Sequence, residues 1–179
     1  TAAQPPRRSP VTARRGGDLI YALDVSNPLV PTIKWRKSSA DNAFSEMGQT
    51  WSKPTITKVK VGVSDRIVLM MGLGYDPDVD DGGVASRTQG RGVIVIDAET
   101  GADIWQVTSA TVSSPSGTVL TESAMSFSVP SDLAVVDRDG NGYSDRVYFG
   151  DTGGQLWRLD IGSSTLGDWK ATRLFKFSS

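Results

Sequence analysis

Histidine and cysteine are both missing from this 179-residue chain. Without imidazole there is no Ser-His-Asp triad, no Cys-His dyad and no zinc site built on histidine. Without thiols there are no disulfides, no thiolate metal sites and no sulfur nucleophile, although the lack of cysteine does not by itself assign a compartment. Net charge is scarce as well. The 19 Lys and Arg against 20 Asp and Glu leave -1, so no overall basic field draws the chain to nucleic acid or anionic lipid. Arg7, Arg8, Arg14 and Arg15 form a local basic stretch among Pro and Ser, readable as a solvated loop or as a polyanion contact. No apolar run approaches transmembrane length, so no membrane span is expected, and the opening TAAQPPRRSP lacks the apolar core of a signal peptide. If the parent is secreted, this chain is a mature or excised piece of it.

Long helical periodicity is also absent. In its place stand short runs rich in Val, Ile, Leu, Tyr and Phe, punctuated by Gly, Asp, Asn and Pro: LIYALDV (Leu19–Val25), RIVLMMGLG (Arg66–Gly74), GVIVID (Gly92–Asp97), DLAVVD (Asp132–Asp137), RVYFGD (Arg146–Asp151) and QLWRLDI (Gln155–Ile161). These are strand signatures with turn chemistry between them. The near-continuous RIVLMMGL predicts a strand buried on both faces.

The runs repeat. One unit is a strand ending in Asp, a polar turn and then Trp, seen at Asp24 and Trp35, at Asp97 and Trp105, and at Asp160 and Trp169. A second unit precedes the last two copies and aligns Pro54 with Pro130 and Ser64-Asp65-Arg66 with Ser144-Asp145-Arg146. A four-stranded unit with its turns needs roughly 40–50 residues, so the repeat suits propeller blades with long loops. The expected fold is all-β, with β-propeller-like antiparallel blades of quinoprotein type. Residues 1–17 are read as loop, 18–36 as the end of one blade, 50–106 as a second and 125–170 as a third, with 171–179 opening the next. Propellers close with four to eight blades, so the chain reads as part of a larger ring. An open array whose edges need another partner is the alternative.

Asp97–Trp105, DAETGADIW, has the form D-x-x-T-G-x-x-x-W of quinoprotein propeller repeats, in which Thr-Gly makes the turn and Trp docks between blades. Val95 stands where the pattern usually has Ala, and Ala22 fills the equivalent place before Asp24. Trp35, Trp51, Trp105, Trp157 and Trp169 are accordingly read as packing residues.

VVDRDGNGYSDRVYFGD, Val135–Asp151, carries the chemistry. Asp137, Asp139, Asn141 and Asp145 stand at alternate positions apart from Tyr143, the rhythm of the first nine positions of an EF-hand loop. Alternation turns the four oxygen-bearing side chains toward one point as the chain curls, and Tyr143 would add its backbone carbonyl, as position seven does in an EF-hand. The twelfth position, a bidentate Glu in an EF-hand, is Tyr148 in a strand. The remaining oxygens must therefore come from water or a nearby carbonyl, with Asp151 instead bracing the next turn. Ca²⁺ is the expected ion, and Mg²⁺ suits the set less well because it dehydrates reluctantly. An ordinary Asp/Asn/Gly turn is the competing reading. The sibling segment Lys58–Arg66 is shorter and has no carboxylate before Asp65, so folding the unit does not in general need the ion. In a second acidic stretch, Tyr75–Gly83, Asp76, Asp78 and Asp80 alternate, with Asp81 where an EF-hand has Gly. A solvated loop and a second ion site both remain open there.

Ser126–Ile161 resembles the hallmark region of the PilY family, the type IV pilus biogenesis and tip-associated adhesins of Gram-negative bacteria. GGDLIYALDVSNP, MGQTWSKPTI and GRGVIVIDAETGADIW resemble its flanking segments in the same order. The resemblance implies a C-terminal propeller-like domain at the pilus tip or outer surface, with pilus components as partners: minor pilins and the secretion machinery. It also implies a calcium site held by Asp137, Asp139, Asn141, Tyr143 and Asp145 that influences pilus extension against retraction, twitching motility and attachment. No catalytic residue carries over, and the family's N-terminal adhesive region, which would meet host or abiotic surfaces, has no counterpart in these residues. Two other classes stay in view: a quinone-dependent dehydrogenase, suggested by the D-x-x-T-G-x-x-x-W motif, and a purely structural, integrin-like propeller segment.

Overall fold

The computed structural model describes residues 8–13, 17–79 and 88–177. Three sheets follow one another along the chain. The first orders β1 (Arg8–Thr12), β2 (Leu19–Asp24) and β3 (Thr32–Ser38). The second orders β4 (Thr55–Val61), β5 (Ser64–Gly72), β6 (Gly92–Asp97), β7 (Asp103–Thr108) and β8 (Thr118–Thr121). The third comprises β9 (Ala134–Val136), β10 (Arg146–Gly150), β11 (Gln155–Asp160) and β12 (Lys170–Lys176). Single-turn 3-10 helices at Asn42–Phe44, Pro77–Val79 and Leu166–Asp168 are the helical elements among the described residues, so the fold is all-β.

Burial explains the sequence pattern. The second sheet lies between the other two. One core joins it to the third sheet through Val68, Met70, Val95 and Trp105 against Val147, Phe149, Trp157 and Leu159. The other joins it to the first through Leu69, Met71, Ile94 and Ile96 against Ile20, Ala22 and Trp35. Every residue of β6 is buried, as is β5 from Val68 onward, while the first four residues of β5 are exposed. A strand covered on both faces has no polar side to show, hence the continuous apolar runs. In β11, at the flank, Gln155, Trp157 and Leu159 are buried while Leu156, Arg158 and Asp160 face outward. One covered face produces alternation.

The repeat is visible in the register. Irregularities interrupt the β2–β3 pairing between Ala22 and Leu23 and the β6–β7 pairing between Val95 and Ile96, two residues before Asp24 and Asp97 respectively. Ala22 pairs with Trp35 and Val95 with Trp105. Between sheets, the Trp35 indole donates to the Ala98 carbonyl at 3.2 Å, and its ring lies on Gly101, where an added Cβ would come within 2.7 Å of it. Gly101 has φ +72°, so glycine is required there both for the turn and for the ring. Asp97 Oδ1 accepts from the Glu99 and Thr100 amides at 2.9 Å each and from the Thr100 hydroxyl at 3.1 Å. The D-x-x-T-G turn is therefore a self-bonded corner on which the preceding sheet's Trp docks.

Three expectations are corrected. Residues 1–17 are not all loop, because β1 pairs with β2 from Arg8↔Asp24 to Thr12↔Ile20. Its RSPVT has no apolar signature, and Pro10 is tolerated because β1 is an edge strand. Arg7, Arg14 and Arg15 lie outside the described residues. The second unit does not end at 106, since β8 adds to β7 in parallel, and this pair departs from the otherwise antiparallel pairing. Among the described residues of 171–179 no new sheet opens, because β12 pairs with β11 from Asp160↔Lys170 to Gln155↔Lys176. In this copy the Trp of the repeat, Trp169, comes before the strand, whereas Trp35 and Trp105 lie within theirs.

Candidate metal site

The third sheet positions the acidic loop. β9 and β10 form a hairpin closed by the pair Val136↔Arg146, and the Asp145 amide donates to the Val136 carbonyl at 3.0 Å. In the second sheet the corresponding hairpin closes at Val61↔Ser64 around Gly62 and Val63. Residues 137–145 thus replace a two-residue turn in the same architectural place.

Within the loop the side chains hold the backbone in a curl. Asp137 accepts from the Gly140 amide at 2.8 Å and the Gly142 amide at 2.7 Å. Both glycines have positive φ, +74° and +86°. Asp139 accepts from the Asn141 amide at 3.2 Å and from its side-chain Nδ2 at 3.0 Å. Asn141 Oδ1 accepts from the Tyr143 amide at 2.8 Å, and Asp145 Oδ2 from the Arg138 amide at 3.0 Å. The Asp137 carboxyl is held below the usual carboxylate range, chiefly by the Gly142 amide, with partial desolvation opposing and the Gly140 and Asn141 amides adding.

Of the sequence-predicted ligands, Asp137, Asp139 and Asp145 are brought together: each offers a carboxylate oxygen within 4.8 Å of the others. Asn141 stands beside them, with its amide turned to Asp139. Tyr143 sends its side chain away from the cluster, its hydroxyl donating to Asp65 Oδ1 at 2.9 Å. Asp145 Oδ1 is buried and has no hydrogen-bond partner, a costly state for a carboxylate oxygen unless something positive meets it. All-oxygen donors, three negative charges held close and an orphaned buried oxygen suit a hard divalent cation.

Asp151 does brace the following turn. Its Oδ1 accepts from the Gly153 and Gln155 amides at 2.9 and 3.0 Å, and its Oδ2 from the Trp157 indole at 2.9 Å. In the other acidic stretch Asp76 is buried and closes its own loop, accepting from the Asp78 amide at 3.1 Å and the Thr88 amide at 2.8 Å. Asp80 and Asp81 lie outside the described residues.

The loop also touches the second sheet, which sequence reasoning missed. The Ser144 amide donates to the Lys58 carbonyl at 2.9 Å, and the Thr57 and Ser144 hydroxyls lie 2.5 Å apart. The ammonium groups of Lys58 and Lys60 lie 4.4 and 5.8 Å from the Tyr143 ring centroid. Lys58, Lys60 and Asp65 belong to the sibling hairpin, and nothing in their local sequence marks them as neighbours of a metal loop.

The pH dependence follows from the lowered Asp137 group. A carboxylate whose folded pKa lies below its unfolded one adds stability that is present above the unfolded pKa and lost as pH falls through the folded one. The Asp137 bonds to Gly140 and Gly142 are therefore expected to survive acidification through the ordinary carboxylate range. Carboxyl-carbon NMR titration without added metal checks this, and an Asp137 midpoint at or above that of an unstructured peptide would refute it.

No protein-family model matches the chain. Among curated proteins, a type IV pilus biogenesis factor PilY1 homologue of Xylella fastidiosa is 28% identical over 158 residues, 86% of this chain and 10% of its own length. PilY1 of Pseudomonas aeruginosa is 29% identical over 157 residues, 88% of this chain and 11% of its own. The chain thus spans about a tenth of the length of the curated relatives it matches. Among solved structures, the crystal structure of the P. aeruginosa PilY1 C-terminal domain superposes with a TM-score of 0.58 at 26% identity, over 86% of this chain and 26% of that one. Over most of its length the chain is therefore a relative, in sequence and in fold, of the C-terminal domain of the PilY1 type IV pilus biogenesis factors.

Proposed function

We propose that this chain is a calcium-binding, non-enzymatic module of a type IV pilus biogenesis protein, working at the pilus or the outer surface of a Gram-negative bacterium. The observation that carries the cation reading is the converged trio Asp137, Asp139 and Asp145 with the buried, unpartnered Asp145 Oδ1. Asn141 and the Tyr143 carbonyl complete the proposed ligand set, with water filling the rest of the shell. Ca²⁺ supplies positive charge that relieves the mutual repulsion of the carboxylates and fixes the hairpin. Pilus components, minor pilins and secretion machinery among them, are the proposed partners. Calcium occupancy is proposed to bias pilus extension against retraction, and through it twitching motility and attachment. No described helix is long and apolar enough to cross a membrane.

The sheets are proposed to be consecutive blades of a propeller. Supporting this are their face-to-face stacking and the apolar residues left outward on both flanks, Ile33 at 65% and Phe175 at 50% exposure. The dehydrogenase alternative has little to stand on. Asp97, Thr100, Gly101 and Trp105 are all occupied in a turn and a packed core.

The test is calorimetric titration of Ca²⁺ into the protein and into Asp145→Ala. Loss of an outer partner alone costs a metal site about 10–100-fold in affinity, and losing a direct carboxylate is expected to exceed that. Equal binding by both proteins would remove the loop from the account. In cells, Asp145→Ala is expected to alter surface piliation and twitching. Unchanged pilus behaviour with lowered protein stability would favour the purely structural reading.

A further inference from the structure

Tyr143 stands between two pieces of structure. Its amide donates to Asn141 inside the acidic loop, while its hydroxyl donates to Asp65 and its ring lies beneath Lys58 and Lys60 on the β4–β5 hairpin of the second sheet. The hydrogen bond to Asp65 also holds the phenol proton above its ordinary range. Ser144, the next residue, is bonded to Lys58 and Thr57. Farther along the same seam the Gly62 amide donates to the Ser164 carbonyl at 2.7 Å. We infer that cation binding in loop 137–145 is coupled through the Tyr143 side chain to the β4–β5 hairpin, so that filling the loop locks the seam between the second and third sheets. This rests on the cation reading above.

The physical argument is that one residue cannot serve both sides independently. Fixing the Tyr143 backbone around an ion fixes the direction in which its side chain leaves the loop, and that direction sets the Asp65 bond and the two ring–ammonium contacts. Each of those contacts is modest where it is exposed. Together they cross from a loop that changes with the ion to a hairpin that has no ion of its own. Coupling of this kind is reciprocal: whatever the ion adds to the seam, the seam adds to the affinity for the ion. The Val61–Ser64 turn, which lacks carboxylates, becomes the part of the second sheet that senses calcium.

Hydrogen exchange followed by mass spectrometry on the intact protein separates the two claims, because loop and hairpin fall in different peptides. Opening that requires release of a cation held at about 100 times its Kd is slowed by up to about 100-fold. Amides of residues 140–145 are expected to approach that slowing when Ca²⁺ is added. Amides of residues 57–62 are expected to slow by about tenfold, as a segment partly coupled to the same opening. In Asp65→Ala, and further in Asp65→Ala combined with Lys58→Ala, every proposed ligand is left in place, so at saturating Ca²⁺ the loop should keep its response while the hairpin loses most of its own. Loop amides indifferent to Ca²⁺ in the unaltered protein would sink the cation reading and this inference with it. A responsive loop beside an indifferent hairpin would overturn the coupling alone, as would a hairpin response equal in the protein and in the Asp65→Ala, Lys58→Ala double variant.

Discussion

Trp105→Ala is expected to destabilise the protein by about 3–5 kcal/mol, the range for truncating a buried large aromatic. Trp105 is 1% exposed and pairs in register with Val95 on one side and Thr118 on the other. Across the seam its ring meets that of Trp169, with centroids 5.4 Å apart and planes tilted by 58°. Such a pair contributes about 0.5–1.5 kcal/mol beyond its buried area, which puts the expected loss at the upper end of the range. The cavity would open in the core that joins the second and third sheets, so the two sheets would lose cohesion together. Urea unfolding monitored by circular dichroism measures the effect, with the midpoint falling at an unchanged m-value. Val63→Ala is the control: at 97% exposure it should stay within about 0.5 kcal/mol of the parent. A Trp105→Ala loss no larger than the control's would mean that the seam is not packed as described. A double cycle with Trp169→Ala should give a coupling of about 0.5–1.5 kcal/mol, since rings in contact do not act independently.

The same contrast between covered and uncovered surface explains what the sequence could tell. β5, β6 and β11 were legible because burial on two faces or one writes continuous or alternating apolar runs. The D-x-x-T-G turn was legible because Asp97, Thr100 and Gly101 bond among themselves, so local chemistry alone defines it. β1, β8 and β12 were not. RSPVT, TVLT and KATRLFK owe their extended form to the strands beside them, and β12 is largely exposed. A parallel partner such as β8 leaves no mark in its own residues. The acidic loop divides in the same way. Alternating Asp137, Asp139, Asn141 and Asp145 could be read because every member lies on one curl of chain. The Tyr143 contacts to Asp65, Lys58 and Lys60 could not, because they cross between residues 78 and more positions apart.

Arg91→Leu should cost about 3–5 kcal/mol, the range for leaving one member of a buried ion pair uncompensated, and more than Glu46→Leu. Glu46 is 4% exposed and meets Arg91 in a fork: Oε1 to Nε at 2.6 Å and Oε2 to Nη2 at 3.1 Å, with the Arg91 amide at 3.3 Å from Oε1. The Glu46 carbonyl accepts from the Gly90 amide at 2.7 Å, so this one residue fastens the segment before β4 to the entrance of β6. The two partners are not equally trapped. With Glu46 removed, the Arg91 side chain, 22% exposed against 5% for Glu46, can turn its guanidinium to water while its stem stays packed. With Arg91 removed, the Glu46 carboxylate has no comparable exit and is left buried without its partner. That asymmetry sets the order of the two variants. Urea midpoints for both variants read the difference, and equal losses would show that the pair is screened by solvent and serves as packing alone.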